Sequence, residues 1–205
     1  NLSPKKRMQE LHESNDFSLA IIGMPNVGKS SLMNRLLEQE KSIVTPIAGT
    51  TRDSVDSYIK YYKKVIRVID TAGLRKKSKI SDAIEFYSTV RTNRIIHDCD
   101  MAAVLIDARK GFTNQDRDII RKVIDSGKAL LIIVNKWDLV EKDTNTVEDF
   151  RRDILDIYPS LMHYLILFIS ILHNLRVRNI LKTALSIYKE RCRKVKTVEL
   201  NIFLK

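Results

Sequence analysis

Apolar and polar positions are distributed unevenly along the 205 residues. The first sixteen are polar, contain Pro4 and carry no apolar run, which predicts a linker or the tail of an upstream region. From Phe17 onward, short apolar runs alternate with amphipathic stretches. Residues 17–22, Met101–Asp107 and Ala129–Asn135 are nearly continuous apolar runs with little period-two alternation. That pattern marks strands covered on both faces. Residues 164–170 read as a further strand, and 58–62 with 65–70 lie close enough to form an antiparallel hairpin. Residues 29–40 follow a Gly-containing loop and predict a helix. Thr113 can cap another, with an apolar stripe of Ile119, Ile120, Val123 and Ile124 and Gly127 as its stop. A last helix would bury Ile180, Leu181, Ala184, Leu185 and Tyr188. Strand–helix alternation of this kind predicts an α/β, three-layer fold: a mostly parallel sheet flanked by helices.

Composition narrows the classes. Hydrophobic residues make up 44% and charged residues 30% of the chain, enough apolar content to bury a core. The formal net charge of +11 favours an anionic partner. Much of it is local: from Asn174 to the end, nine Lys and Arg residues face only Glu190 and Glu199. Cys99 and Cys192 are the only two cysteines, without CxxC spacing, which argues against a disulfide framework or structural zinc and suits a reducing compartment. The longest apolar stretch, 164–172, is far short of the ~20 residues of a membrane span. Together these point to a cytoplasmic protein with no membrane span.

Three ordered motifs carry chemistry. Gly23-Met24-Pro25-Asn26-Val27-Gly28-Lys29-Ser30 fits GxxxxGK[ST] in the strand–loop–helix setting that the motif requires. Its glycines let backbone N–H groups turn toward a phosphate at a helix N-terminus. Val27, Lys29 and Ser31 line the same loop and first helical turn. Lys29 would reach the β- and γ-phosphates, and Ser30 would offer its hydroxyl to Mg²⁺. Asp70-Thr71-Ala72-Gly73 ends an apolar strand: the carboxylate can hold magnesium and the Gly73 amide can approach a γ-phosphate. Alone this DxxG is weak, because Asp at a strand end is a common turn former. Asn135-Lys136-Trp137-Asp138 follows another buried strand. The Asp138 carboxylate can accept two hydrogen bonds from the N1–H and N2–H edge of guanine, a donor pair that adenine lacks. Between the first two motifs, Gly49-Thr50-Thr51-Arg52-Asp53 could supply a threonine hydroxyl to magnesium, with Thr51 preferred over Thr50.

Together GMPNVGKSS, PIAGTTRD, DTAGLRKK and NKWD resemble the bacterial EngA family, also called Der, over residues 17–193. The likeness includes Val90-Arg91-Thr92-Asn93-Arg94 and Gly111-Phe112-Thr113-Asn114-Gln115-Asp116. It implies a P-loop GTPase fold, GTP and GDP as ligands, and hydrolysis with Mg²⁺. Lys29, Asn26, Thr51 and Gly73 would act on the transferring phosphoryl group. DTAGLRKK and NKWD resemble the second of the family's two tandem GTPase domains. Residues 194–205 resemble the opening of the KH-like domain that follows. The family's partners are then implied as well: an adjacent GTPase domain, the KH-like domain, and the large ribosomal subunit or its rRNA during assembly.

The resemblance also sharpens three positions. Leu74 stands where many GTPases place a water-orienting Gln, which implies slow turnover. Asn26 matches an asparagine that in related GTPases helps to hold K⁺ beside the phosphates, where the ion can replace an arginine finger. The fifth motif, normally Ser-Ala followed by Lys or Leu, is Ser170-Ile171-Leu172 here. His173-Asn174-Leu175-Arg176 follows where glycines are usual, so the branched Ile171 is expected to reshape the guanine pocket in part. His12, His97, His163 and His173 read as surface or packing residues, and Trp137 as packing beside the base loop. Arg75-Lys76-Lys77 with Lys79 reads as a solvated loop, with an RNA contact as the minority reading. A binding module that senses GTP or GDP with little turnover is the alternative to an enzyme.

Overall fold

A computed structural model describes residues 16–39, 47–48, 55–69, 84–141, 143–195, 197 and 202–203. Seven strands run in the spatial order β2-β3-β4-β1-β5-β6-β7. They are β1 (Phe17–Gly23), β2 (Ile47–Ala48), β3 (Val55–Tyr61), β4 (Lys64–Val68), β5 (Met101–Asp107), β6 (Ala129–Asn135) and β7 (Ile166–Phe168). Five of them, β4-β1-β5-β6-β7, pair in parallel, and β2-β3-β4 pair antiparallel. The helices are α1 (Lys29–Gln39), α2 (Ile84–Asp98), α3 (Asn114–Asp125), α4 (Thr146–Ile157) and α5 (Asn179–Arg191).

The central strands are buried along nearly their whole length, as both-face coverage requires. All seven residues of β5 and of β6 are buried. Successive side chains alternate between two core clusters. Leu19, Ile21, Ala103, Leu105, Leu131 and Ile133 join Leu32, Leu36, Ile180 and Ala184 in one. Ala20, Ile22, Val104, Ile106, Ile132 and Val134 join Ile96, Ile120, Val123 and Ile154 in the other. This is the three-layer α/β arrangement that the apolar runs predict. Thr113 caps α3 as expected, its hydroxyl accepting from the Asp116 amide at 3.2 Å while the Asp116 carboxylate accepts from the Thr113 amide at 3.1 Å. Gly127 stops the helix at φ 62°.

Strand bounds differ from the expectation. β3 begins at Val55, earlier than the apolar run suggested, because pairing with β4 carries it to Ser57↔Val68 and pairing with β2 carries it to Val55↔Ala48. The strand expected over 164–170 shrinks to β7, since Ser170 leaves the sheet to bridge Leu175. Helices α2 and α4 and the short β2 were not anticipated. α4 carries its apolar stripe on Val147, Phe150, Ile154 and Leu155, amid charged residues.

Candidate nucleotide site

The site grows from one edge of the sheet. Parallel register places Gly23 beside Leu105 and Asp107 beside Asn135, so β1, β5 and β6 end together. Gly23 has φ 141°, and a Cβ there would lie 2.4 Å from the Leu105 carbonyl oxygen, so only glycine lets the chain turn off β1. Gly28 has φ 106°, and its missing Cβ leaves room for the Asn135 side-chain nitrogen, which would otherwise stand at 2.5 Å. The loop between them ends in the first turn of α1, where the Leu32 amide donates to the Gly28 carbonyl at 2.8 Å.

Lys29 folds back over this loop. Its ammonium donates to the carbonyls of Gly23 at 2.8 Å and Met24 at 2.7 Å. Burial pushes its pKa down to about 8, so it is still charged at neutral pH. An anion placed in the loop would restore the favourable environment that burial removes. Asn26, Pro25, Ser30 and Ser31 are exposed on the rim. The open cradle, the buried ammonium and the helix start fit a phosphate chain. Ser30 is the second residue of α1, and its hydroxyl is of the donor type that would suit Mg²⁺. Thr51, Asp70 and Gly73 lie outside the described residues, as do Thr50, Leu74, Arg75, Lys76, Lys77 and Lys79.

The base side is a hydrogen-bonded framework. The Asn135 side chain is buried and donates to the Val27 carbonyl at 2.8 Å, while its oxygen accepts the Ile171 amide at 3.2 Å. One residue thus ties the phosphate loop to the fifth-motif loop. Lys136 is in the left-handed region at φ 63°, as is Asn26. Such strain in a non-glycine residue persists only where surrounding contacts hold it. Here the Lys136 ammonium donates to the Asn26 carbonyl at 2.8 Å and to the Asp107 carboxylate at 2.6 Å. Asp107 is buried at the end of β5. Desolvation pushes its pKa up, but hydrogen bonds from Arg109 and Lys136 outweigh it and hold the carboxyl down at about 2. Asp107 was missed in the sequence. Its signal was legible all the same: a carboxylate that ends a wholly apolar strand, in register with the motif asparagine.

Trp137 is buried against Phe168 and Phe150, with ring centroids at 4.5 and 5.6 Å, so it packs as expected. That packing anchors the 3₁₀ turn Trp137–Leu139, which carries Asp138. Ser170, Ile171 and Leu172 enter from the far side. Ile171 is buried in the core cluster that holds Val27. Its Cδ1 would lie 3.3 Å from a Cβ on Gly28, so its extra bulk supports the phosphate loop from below. Leu172 is 74% exposed at the rim. The loop closes through the Ser170 amide on the Leu175 carbonyl at 3.2 Å and the reverse bond at 2.8 Å. Asn174 and Arg176 adopt φ 54° and 58°. His97, His163 and His173 are exposed, and His12 lies outside the described residues. His173 nonetheless stands with its Nε2 3.8 Å from an Asp138 carboxylate oxygen.

A mostly parallel sheet whose strand β1 ends in a glycine-containing loop that opens a helix, with the buried Asn135 at a nearby strand end tied to that loop, is the arrangement of a P-loop GTPase domain. Comparison with known proteins agrees: residues 18–136 match the family described as "50S ribosome-binding GTPase", and the chain belongs to that family. It is 46% identical over 196 residues to GTPase Der of Chloroflexus aggregans, covering 96% of this chain and 44% of that protein. It is 44% identical over 204 residues to GTPase Der of Chlorobaculum tepidum, covering 47% of that protein. The chain thus spans less than half the length of the curated relatives it matches. Among solved structures it is similar to Era in complex with MgGDPNP and a segment of 16S ribosomal RNA, with TM-score 0.63 and 29% identity over 83% of this chain and 56% of that one. Among the described residues, no helix is long and apolar enough to cross a membrane.

Proposed function

We propose that the domain binds GTP and GDP and hydrolyses GTP slowly with Mg²⁺, as one of two GTPase domains of a longer cytoplasmic protein that acts in assembly of the large ribosomal subunit. The observation that carries this reading is Asn135, whose side chain joins Val27 of the phosphate loop to Ile171 of the base loop at 2.8 and 3.2 Å. Gly23, Val27, Gly28, Lys29, Ser30 and Ser31 would cradle the phosphates. Asn135, Lys136, Asp138, Ser170, Ile171 and Leu172 would frame guanine. Lys29 and the Gly73 amide would stabilise charge on the transferring phosphoryl group, with Ser30, Thr51 and Asp70 as the ligands of Mg²⁺. The metal supplies charge neutralisation at that group when bound. Asn26, exposed on the loop rim, would contribute to a K⁺ site beside the phosphates.

Residues 1–16 would link to the preceding domain, 17–193 form the GTPase domain, and 194–205 open the KH-like domain. The basic residues beyond Asn174 favour rRNA contact in the longer protein. Leu74 supports slow turnover and keeps a nucleotide-sensing module as the second reading. The test is hydrolysis of GTP and ATP in potassium and in sodium buffers of equal ionic strength. GTP turnover that rises in potassium and falls in Asn26→Ala supports the enzyme. Tight GDP binding without turnover in either salt supports the sensing module.

A further inference from the structure

We infer that Asp107 is a positioning residue for nucleotide binding, which acts through Lys136 to hold the phosphate loop in its binding shape. This rests on the reading that residues 23–30 cradle the nucleotide phosphates. Asp107 closes β5 in parallel register with Asn135, and its side chain is only 3% exposed. The carboxylate is held on both oxygens. The Arg109 amide and Nε donate to Oδ1 at 3.1 and 3.3 Å. Arg109 Nη2 and the Lys136 ammonium donate to Oδ2 at 3.1 and 2.6 Å. The Arg109 contacts fix the carboxylate plane, and Oδ2 is thereby presented to Lys136.

The ammonium carries that order into the phosphate loop. Lys136 also donates to the Asn26 carbonyl at 2.8 Å, and the Asn135 side chain donates to the Val27 carbonyl at 2.8 Å. Two consecutive loop carbonyls are therefore pinned by two consecutive residues at the end of β6. In a planar trans peptide the C=O and N–H point in opposite directions, so pinning these carbonyls turns the Val27 and Gly28 N–H groups away from β6. Loop N–H groups of this kind are what an anion binds. The two anchors differ in their own support. Asn135 is short and buried, whereas Lys136 ends a long flexible stem and is 23% exposed. Without the Asp107 carboxylate the ammonium can leave Asn26 for water. Asn26, at φ 63°, then loses a contact that opposes its left-handed backbone.

The experiment is calorimetric titration of the intact chain with GDP in Mg²⁺ buffer, for the wild type, Asp107→Asn, Lys136→Met and the double variant. Asparagine keeps the shape of the aspartate and removes the charge that holds the ammonium. It also makes the site more positive, which on charge alone favours an anionic ligand, so a loss of affinity reports the shape of the loop. Asp107→Asn should weaken GDP binding about five- to twentyfold where Lys136 is present and less than about twofold in the Lys136→Met background. A role confined to joining the ends of β5 and β6 gives the same loss in both backgrounds. That result, or no loss in either, would overturn the inference while leaving nucleotide binding intact. A second readout needs no variant: in the GDP-bound wild type, the Lys136 ammonium should give a slowly exchanging ¹⁵N NMR signal, as a fixed ion pair does. An ammonium in free exchange with water would overturn the inference even where the variants fold poorly or bind no GDP. Failure of the wild type itself to bind GDP would overturn both this inference and the reading beneath it.

Discussion

Two segments frame the base side of the site, and they obey different rules. The end of β6, Asn135-Lys136, is buried or half-buried, and each polar atom described there has a fixed partner: Val27, Ile171, Asn26 or Asp107. The Ser170–Arg176 loop has one fully buried hydroxyl, a buried Ile171 and an exposed run of Leu172, His173 and Asn174. Motif chemistry is intact in the first and departs from the expected Ser-Ala-and-glycine pattern in the second. The lesson is about where the cost of change falls. A buried polar group left unpaired costs the full desolvation penalty, so Asn135 has no tolerated substitute. An exposed loop position can exchange glycine for Asn174 or Arg176, because left-handed backbone is mildly unfavourable for these residues and not forbidden.

The largest effect expected from breaking this arrangement lies at the shared phosphate loop. Lys29→Ala should reduce GDP and GTP affinity more than ~100-fold in calorimetric titration, since it removes a buried cation from the phosphate cradle. A milder version of the same test is pH. Because burial holds Lys29 down at about 8, the wild type should lose phosphate affinity as pH rises through that value, and Lys29→Arg should not. On the rigid side, Asp107→Ala should cost about 3 kcal/mol in denaturant unfolding, because it leaves Lys136 without its buried partner. The stability that this carboxylate contributes should be full above the usual carboxylate range and lost as pH falls through it towards about 2.

On the loop side the effects should be smaller. Ile171→Ala restores the usual Ser-Ala pair yet should destabilise by about 2 kcal/mol, since the removed atoms fill the core beneath Gly28. GDP affinity should change little, because the Ile171 side chain lies under the phosphate loop; a large gain would show that it occupies guanine space. Asn174→Gly should fall within ~1 kcal/mol of the wild type, with stabilisation the expected sign, because φ 54° suits glycine better.

Much of this was legible in the residues. The parallel core strands showed as unbroken apolar runs, and the Thr113 cap and Gly127 stop fixed α3 closely. The phosphate and base motifs pointed to Gly28 and Asn135, which the fold brings side by side although they are far apart in the chain. Helix α2 was hidden because Thr92, Val90 and Asn93 have poor helix propensity, and packing against the sheet overrides it. Helix α4 was hidden among charges, although Asp143 and Thr146 form the turn that precedes it, with a 2.7 Å hydroxyl–carboxylate bond. Asp107 was missed for a different reason. Its partner Lys136 is a tertiary neighbour that only strand register brings near.

The most direct test of the account is calorimetric titration of this chain with GDP and with ADP in Mg²⁺ buffer at neutral pH. The account predicts GDP binding at least ~100-fold tighter than ADP, from a mostly covered Asp138 carboxylate that would match the guanine edge. Equal affinities, or binding of neither nucleotide, would contradict it.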